Sequence, residues 1–334
     1  METNRALAAF LIVRDEEAML GGCLASIRPW VGEICVLDTG SRDGTVEIAR
    51  SFGAKIGSFV WHEDFAAARN ASLAMSQAPW ALVIDADERL VPETGPALAR
   101  TISTDALAYY VTREDLRPEG PPDSLAIARL FQNRPDIRFR RPVHEGIMDD
   151  LVALGAGDLA DSGVRLTHLG YLPEVLQKQD KHARNLRILA QRLRDAPDDL
   201  YNAYKFAVTL PATAHEQRRA AFAVAHALAI ALTEPERSQL PFLPRLFNTH
   251  AAALAAEGAL TEALQVADQG MAQVPPSAEL MYRRGELARC VGDFETAVRW
   301  LELARLDRHN SLVRADRPHE VAAQSWAALL AIAA

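Results

Sequence analysis

Three carboxylates close the run Trp80-Ala-Leu-Val-Ile-Asp85-Ala-Asp87-Glu88. Carboxylates this close repel one another unless a cation neutralises them. A hard divalent ion such as Mg²⁺ or Mn²⁺ suits them, especially one shared with phosphate oxygens. Leu82, Val83 and Ile84 predict a short strand buried on both faces. In open α/β sheets ligands lie beyond the carboxyl ends of strands, so Asp85, Asp87 and Glu88 fall where a ligand crevice is expected. A plain solvated turn after a strand has the same composition, and the context has to decide.

Four further stretches supply that context. Asp38-Thr-Gly-Ser-Arg-Asp43-Gly-Thr45 follows a second apolar run. Its glycines permit a tight turn around a ligand, Asp43 or Thr45 can cap the next helix, and Asp38 can accept hydrogen bonds from a base or ribose. In Asp64-Phe-Ala-Ala-Ala-Arg69-Asn70, Asp64 is a natural N-cap and Arg69 can pair with a phosphate or form a salt bridge. Arg129-Leu-Phe-Gln-Asn133 leads into the basic run Arg138-Phe-Arg140-Arg141-Pro-Val-His144-Glu145. His144 is a possible metal ligand or general base, and Glu145 a possible general base. His168 reads as a satisfied core or loop histidine.

Alternating patterns must position these residues. Strands are predicted at Ala6–Val13, Ile34–Leu37, Lys55–Phe59 and Ala81–Ile84, with helices at Glu17–Ile27, Val46–Phe52 and Phe65–Met75. Strand, helix, strand at this spacing predicts a parallel sheet with right-handed crossovers. Short strands at Ala108–Thr112, Ala126–Phe131 and Ile137–Phe139 are expected to be antiparallel, because the gaps between them are too short for helices. Arg113–Ser124, with Gly120, Pro121 and Pro122, reads as an irregular loop, a surface excursion or else a lid near the site. No Gly-x-Gly-x-x-Gly follows any predicted strand and no Walker-type Gly-Lys-Ser/Thr occurs, which argues against a dinucleotide dehydrogenase and a P-loop enzyme.

The 334 residues are enough for two domains. A formal net charge of -8 gives no global attraction to nucleic acid. Cys23, Cys35 and Cys290 have no metal-site spacing and suit a reducing compartment. Ala6–Val13 is too short to span a membrane, and Arg14-Asp-Glu-Glu17 stands where a signal cleavage site would need small residues. A cytoplasmic protein is expected, with any membrane contact peripheral at the inner membrane. From about Lys178 the composition turns to Ala, Leu and Arg at helical spacing. Gly258-Ala-Leu-Thr-Glu-Ala263-Leu264 recurs as Gly292-Asp-Phe-Glu-Thr-Ala297-Val298, an offset of 292 − 258 = 34 residues, the tetratricopeptide period. Small residues at Gly258, Ala263, Gly292 and Ala297 allow close helix packing, and Pro275 and Pro276 separate the copies. Tyr201–Leu210 and Arg218–Leu232 supply an earlier pair. The expectation is an α/β domain over residues 1–190 and an all-α, tetratricopeptide-like domain over residues 191–334.

Together these pieces resemble glycosyltransferase family 2, in the branch that includes lipopolysaccharide-core glycosyltransferases and peptide S-glycosyltransferases. The resemblance runs in order through Ile12-Val-Arg14-Asp15-Glu16-Glu17, Asp38–Thr45, Asp64–Asn70, Trp80–Glu88, Arg129–Asn133, Val143-His144-Glu145 and His168-Leu-Gly-Tyr171, and closes at Lys181-His-Ala-Arg184-Asn185. The family usually has Lys-Asn where Arg14-Asp15 stand, and often Arg where Gln132 stands. The resemblance implies a GT-A fold, a nucleotide-diphospho-sugar donor with a UDP-sugar first, a divalent metal (Mn²⁺ or Mg²⁺) and inversion at the anomeric carbon. It implies that Arg14, Glu16, Asp38 and Asp43 surround the nucleoside, with Arg69 and Arg129 also on the donor side. Asp85 lies near ribose or metal, Asp87 binds the metal, and His144 is a third ligand or a base competing with Glu145. The acceptor is expected to be an envelope glycan or glycolipid, or else a peptide or protein held by the repeats, which can equally form a homodimer interface. A catalytically silent repeat scaffold is the reading from another class, and the acidic Asp85–Glu88 stretch argues against it.

Overall fold

A computed structural model describes residues 5–170, 181–238, 240, 242–275 and 277–306. Tyr171, Lys178 and Pro276, named above, lie outside the described residues. The chain divides into two compact units, residues 1–180 and residues 181–334.

In the first unit β1 (Leu7–Val13), α1 (Leu20–Ile27), β2 (Glu33–Asp38), α2 (Thr45–Ser51), β3 (Lys55–Ser58), α3 (Phe65–Leu73) and β4 (Trp80–Val83) follow the predicted alternation. The sheet order is β3-β2-β1-β4 with all neighbours parallel. Side chains alternate across β1, as the two-residue period of a strand requires. Leu7, Ala9, Leu11 and Val13 join one core with Leu20, Leu24 and Ile27 of α1. Ala8 and Phe10 join the other with Ala66 and Leu73 of α3. Helices therefore cover both faces, which is why the strands read as continuous apolar runs.

The sheet continues through β5 (Glu88–Leu90), β6 (Ala108–Asp115), β7 (Asp123–Gln132) and β8 (Asp161–His168), with α4 (Gly95–Thr101) and α5 (Met148–Ala153) between them. β7 runs antiparallel to β4 and β6, β8 parallel to β6, and β5 antiparallel to β8. The expected antiparallel pair is present but longer than predicted. β6 and β7 pair as far as Asp115 opposite Asp123, so only residues 116–122 of the expected loop form the turn, which Arg117 closes by pairing with Asp123. Ile137–Phe139 is not a strand. Both apolar side chains are buried in the core beside α3, and the Arg138 amide donates to Asp150 instead of to a neighbouring strand.

The second unit is helical: α6 (Lys181–Asp195), α7 (Leu200–Thr209), α8 (His215–Ala231), α9 (Glu234–Ser238), α10 (Leu243–Ala256), α11 (Leu260–Gln273), α12 (Ala278–Cys290) and α13 (Phe294–Leu306). The expected boundary at residue 190 falls inside α6, whose Leu193 packs against the core of this unit. The pairs α10/α11 and α12/α13 reproduce the 34-residue repeat. Gly258 and Gly292 occupy equivalent turns at φ 80 and 82, and nothing lies within contact distance of a Cβ there. Their role is the left-handed turn, not the close packing expected of them. Close packing is provided by the fully buried Ala263 and Ala297. Gly270 and Gly285 contribute too, since a Cβ there would lie 2.7 Å from Phe247 and 2.8 Å from Leu301. Among the described residues no helix is long and apolar enough to cross a membrane.

Candidate active site

The carboxyl ends of β2, β1 and β4 lie side by side on one edge of the sheet. The chain order reverses there, with β2 and β3 on one side of β1 and β4 on the other, the position where α/β sheets bind ligands. The loops after β1 and β2 are knitted together. The Asp15 amide donates to Ser41 Oγ (2.9 Å), the Glu16 amide to Thr45 Oγ1 (2.7 Å) and the Glu17 amide to Asp43 Oδ2 (3.1 Å). In return the Arg42 amide donates to Asp15 Oδ1 at 2.7 Å. Asp15 sits at φ 54, a region that Asp and Asn tolerate better than other side chains. Asp38 accepts the amides of Gly40 and Ser41. Burial raises the Asp43 pKa, but the hydrogen bonds it accepts from the Thr45 hydroxyl and from the Glu17 and Thr45 amides outweigh it and hold the value below the ordinary one. Arg14 is exposed, with its Nε 4.0 Å from Asp15. The structure thus brings Arg14, Glu16, Asp38 and Asp43 to one edge.

Asp85 follows β4 and is held by two arginines. Arg69 Nη2 donates to Oδ1 at 2.7 Å and Arg129 Nη2 to Oδ2 at 2.8 Å. Burial alone would raise the Asp85 pKa, but the two guanidinium groups hold it far below the carboxylate range. Arg69 Nε also donates to Glu145 (3.0 Å), and Arg129 Nη1 to Glu88 (3.0 Å). Glu88 is completely buried, and that burial raises its pKa although Arg129 opposes it. The Asp64–Asn70 motif explains how Glu145 arrives here. Asp64 caps α3 by accepting the Ala67 amide at 2.8 Å. Asn70 pairs with the main chain of Phe139 in both directions, at 2.9 and 2.8 Å, and the Phe65 amide donates to Pro142 O at 2.8 Å. One helix therefore clamps the segment that carries His144 and Glu145. Arg141 and His144 lie there at φ 74 and 56, left-handed conformations that cost a residue other than glycine on the order of 1–2 kcal/mol.

Asp87 does not meet His144. Its neighbour is His168, at the end of β8, with Nε2 3.4 Å from Asp87 Oδ2. His168 Nδ1 pairs with Asp115 Oδ1 at 2.8 Å, and Arg113 Nε lies 2.8 Å from the same oxygen. Burial lowers the His168 pKa, but the hydrogen bonds to Asp115 and Asp87 outweigh it and raise the value to about 9. Gly170 keeps space around the pair. A Cβ there would lie 2.5 Å from His168 Nε2 and 2.6 Å from Asp87 Oδ2.

The expected ligand set was Asp85, Asp87 and His144. Both oxygens of Asp85 are taken by guanidinium groups, and His144 is exposed on the α3-clamped segment. Among the described residues no cluster of three or more His, Cys, Asp or Glu side chains has metal-binding spacing. Within the basic run Arg140 pairs with Asp150 and Arg141 with Asp149, and Arg138 Nη1 donates to the main-chain oxygen of Ile137. Sequence reading missed Arg113 and Asp115 and undervalued His168. The available signal was the alternation Ser162, Val164, Leu166, which marks β8 as a half-buried strand ending at the histidine.

Residues 9–151 match the family described as Glycosyl transferase family 2. Over these residues the chain is similar to a glycosyltransferase family 2 domain. A TPR repeat-containing protein of Synechococcus elongatus is 42% identical over 200 residues, covering 57% of this chain and 49% of that protein. The lipopolysaccharide core biosynthesis glycosyltransferase LpsC of Rhizobium meliloti is 31% identical over 162 residues, covering 43% and 57%. The glycosyltransferase SunS of Bacillus subtilis is 27% identical over 198 residues, covering 57% and 45%. The chain thus spans about half the length of the curated relatives it matches. The edge built from β1, β2 and β4 lies within the family 2 region. Asp115 and Arg129 fall inside it too, whereas His168 and Gly170 lie just beyond it.

The residues at Asp87 fit a divalent ion. Asp87 supplies a carboxylate oxygen and His168 an imidazole nitrogen, 3.4 Å apart, and only a glycine fits against the two, since a Cβ at Gly170 would lie 2.5 and 2.6 Å from them. The imidazole is backed by a carboxylate on its other nitrogen, the usual support of a metal-binding histidine.

Proposed function

We propose that the protein is an inverting, metal-dependent glycosyltransferase that moves a sugar from a nucleotide-diphospho-sugar, with a UDP-sugar first, to an envelope glycan or glycolipid. The observation that carries this reading is the Asp87–His168 pair, beside a glycine-kept space next to the strand-edge crevice of a family 2 domain. Asp87 and His168 would hold the ion. When bound, Mg²⁺ or Mn²⁺ supplies Lewis-acid stabilisation of the charge that develops on the departing nucleoside diphosphate. Arg14, Glu16, Asp38 and Asp43 surround the nucleoside. Asp85 acts beneath the donor as an arginine-held carboxylate, fixing Arg69 and Arg129. Inversion needs one in-line displacement, so the acceptor hydroxyl must lose a proton. Glu145, held by Arg69 at 3.0 Å, takes it. His144, at φ 56 beside it, is the competing base.

Similarity to LpsC, a lipopolysaccharide core biosynthesis glycosyltransferase, supports an envelope-glycan acceptor. A second reading, a peptide or protein acceptor, is favoured by the 34-residue helix pairs, since such arrays present extended binding surfaces. The same repeats could join two copies of the chain. A cytoplasmic site with peripheral contact at the inner membrane completes the proposal.

A thermal-shift panel of nucleoside diphosphates and nucleotide sugars, with and without Mn²⁺ or Mg²⁺, tests it. A ligand of the native state raises apparent stability according to its concentration over Kd. The expected result is a rise for one nucleotide that is larger with metal and absent in Asp87→Ala, each shift being read against that variant's own metal-free melting temperature. No shift with any nucleotide would favour a non-catalytic repeat scaffold.

A further inference from the structure

We infer that Asp115 is a positioning residue that sets the ring of His168 toward Asp87, with Arg113 as its brace; the inference rests on the metal reading above. Asp115 is the last residue of β6 and stands opposite His168 in the β6–β8 register. Its Oδ1 meets His168 Nδ1 at 2.8 Å. An acceptor at Nδ1 fixes the proton there and leaves Nε2 on the side of Asp87. Arg113, two residues back on the same strand, holds both oxygens of Asp115, with Nε 2.8 Å from Oδ1 and Nη2 3.1 Å from Oδ2.

The main chain around the histidine is fixed independently. The Leu116 amide donates to His168 O (3.0 Å) and the Leu169 amide to Asp87 O (2.9 Å). β5 pairs on the far side of β8, with Glu88 opposite His168. The backbone is held, so what Asp115 decides is the orientation of the ring. An imidazole has two similar orientations about its last side-chain bond, and only a specific partner selects one. Arg113 Nη1 also lies 4.0 Å from the buried Glu88, which ties the orientation of His168 to the carboxylate run after β4.

The test is Mn²⁺ affinity of the full chain without nucleotide, followed by electron paramagnetic resonance, for wild type, His168→Ala, Asp115→Ala and Asp115→Asn. The metal-free melting temperature of each variant is measured alongside. Loss of a carboxylate behind a ligating histidine weakens metal binding about 10–100-fold. Asp115→Ala is expected to fall in that range, and Asp115→Asn, whose amide oxygen still accepts from Nδ1, within about threefold of wild type. In metal-free protein the ¹⁵N-coupled Nδ1–H resonance of His168 is expected to persist in Asp115→Asn and disappear in Asp115→Ala. If His168→Ala weakens Mn²⁺ binding while Asp115→Ala binds as wild type, the positioning role is overturned and the metal reading stands. If His168→Ala binds as wild type, the metal reading fails and the inference with it. Asp115→Ala removes the carboxylate nearest the half-buried Arg113 guanidinium, with Glu88 at 4.0 Å remaining. If that variant does not fold, Asp115→Leu combined with Arg113→Met removes acceptor and brace together and carries the same expected loss.

Discussion

Arg129 holds one carboxylate on each nitrogen, Asp85 at 2.8 Å and Glu88 at 3.0 Å, and Glu88 has no exposed surface. Removing one partner of a buried ion pair leaves the other charge unpaid in a low-dielectric interior, which costs about 3–5 kcal/mol. Arg129→Met is therefore expected to lower unfolding free energy by about that amount in urea denaturation. Arg129→Met with Glu88→Gln should recover part of the loss, because the buried charge is gone. The residue types near the site were legible in sequence, while their partners were not. Asp85, expected near ribose or metal, fixes two arginines, and His168, read as a core or loop histidine, stands beside Asp87.

The capped helix α3 shows how an element can serve a site it does not itself form. Its first turn is fixed by Asp64, its small Ala66 and Ala68 are buried, and its Arg69 and Asn70 reach across to Glu145 and Phe139. In the helical unit, α8 and α10 meet through two buried histidines. His226 and His250 approach at 3.1 Å between their Nδ1 atoms, and His250 stacks on Phe222. Burial, with the nearby charges of His226 and Arg219, lowers the His250 pKa to about 4, from 6.5. As pH falls the unfolded chain takes up this proton first, so the contribution of the buried ring is fully present above pH 6.5 and is lost as pH approaches 4. The loss amounts to about 2 kcal/mol by pH 5. Urea titrations of the full chain from pH 7 to 5, followed by helical circular dichroism, should show that slope, and His250→Leu should flatten it relative to wild type.

At the scale of the whole chain, the division after residue 180 makes α6 the first helix of the second unit. Ile188 and Leu189 are buried, and Leu193 packs into the core shared by α7, α8, α10 and α11. A boundary at residue 190 would cut α6 and strip the remaining helices of that cover. A fragment of residues 181–334 is therefore expected to unfold cooperatively, with a higher melting temperature than a fragment of residues 191–334, as read by circular dichroism. Equal melting curves would show that α6 contributes nothing to that unit.

Local and periodic features were determined by the amino-acid sequence itself. The apolar runs of β1 to β4, the cap at Asp64 and the 34-residue spacing of Gly258 and Gly292 each depend on residues near one another in the chain, and each appears where expected. The acidic stretch after β4 was legible for the same reason. Tertiary structure alone decided which charges meet. The pairs Arg69–Glu145, Arg129–Asp85 and His168–Asp87 join residues separated by 76, 44 and 81 positions. β8 reaches the site because it pairs with β6 and β5, and a strand's register is set by its neighbours in space. No local pattern of types could place a histidine at the end of β8 beside an aspartate after β4.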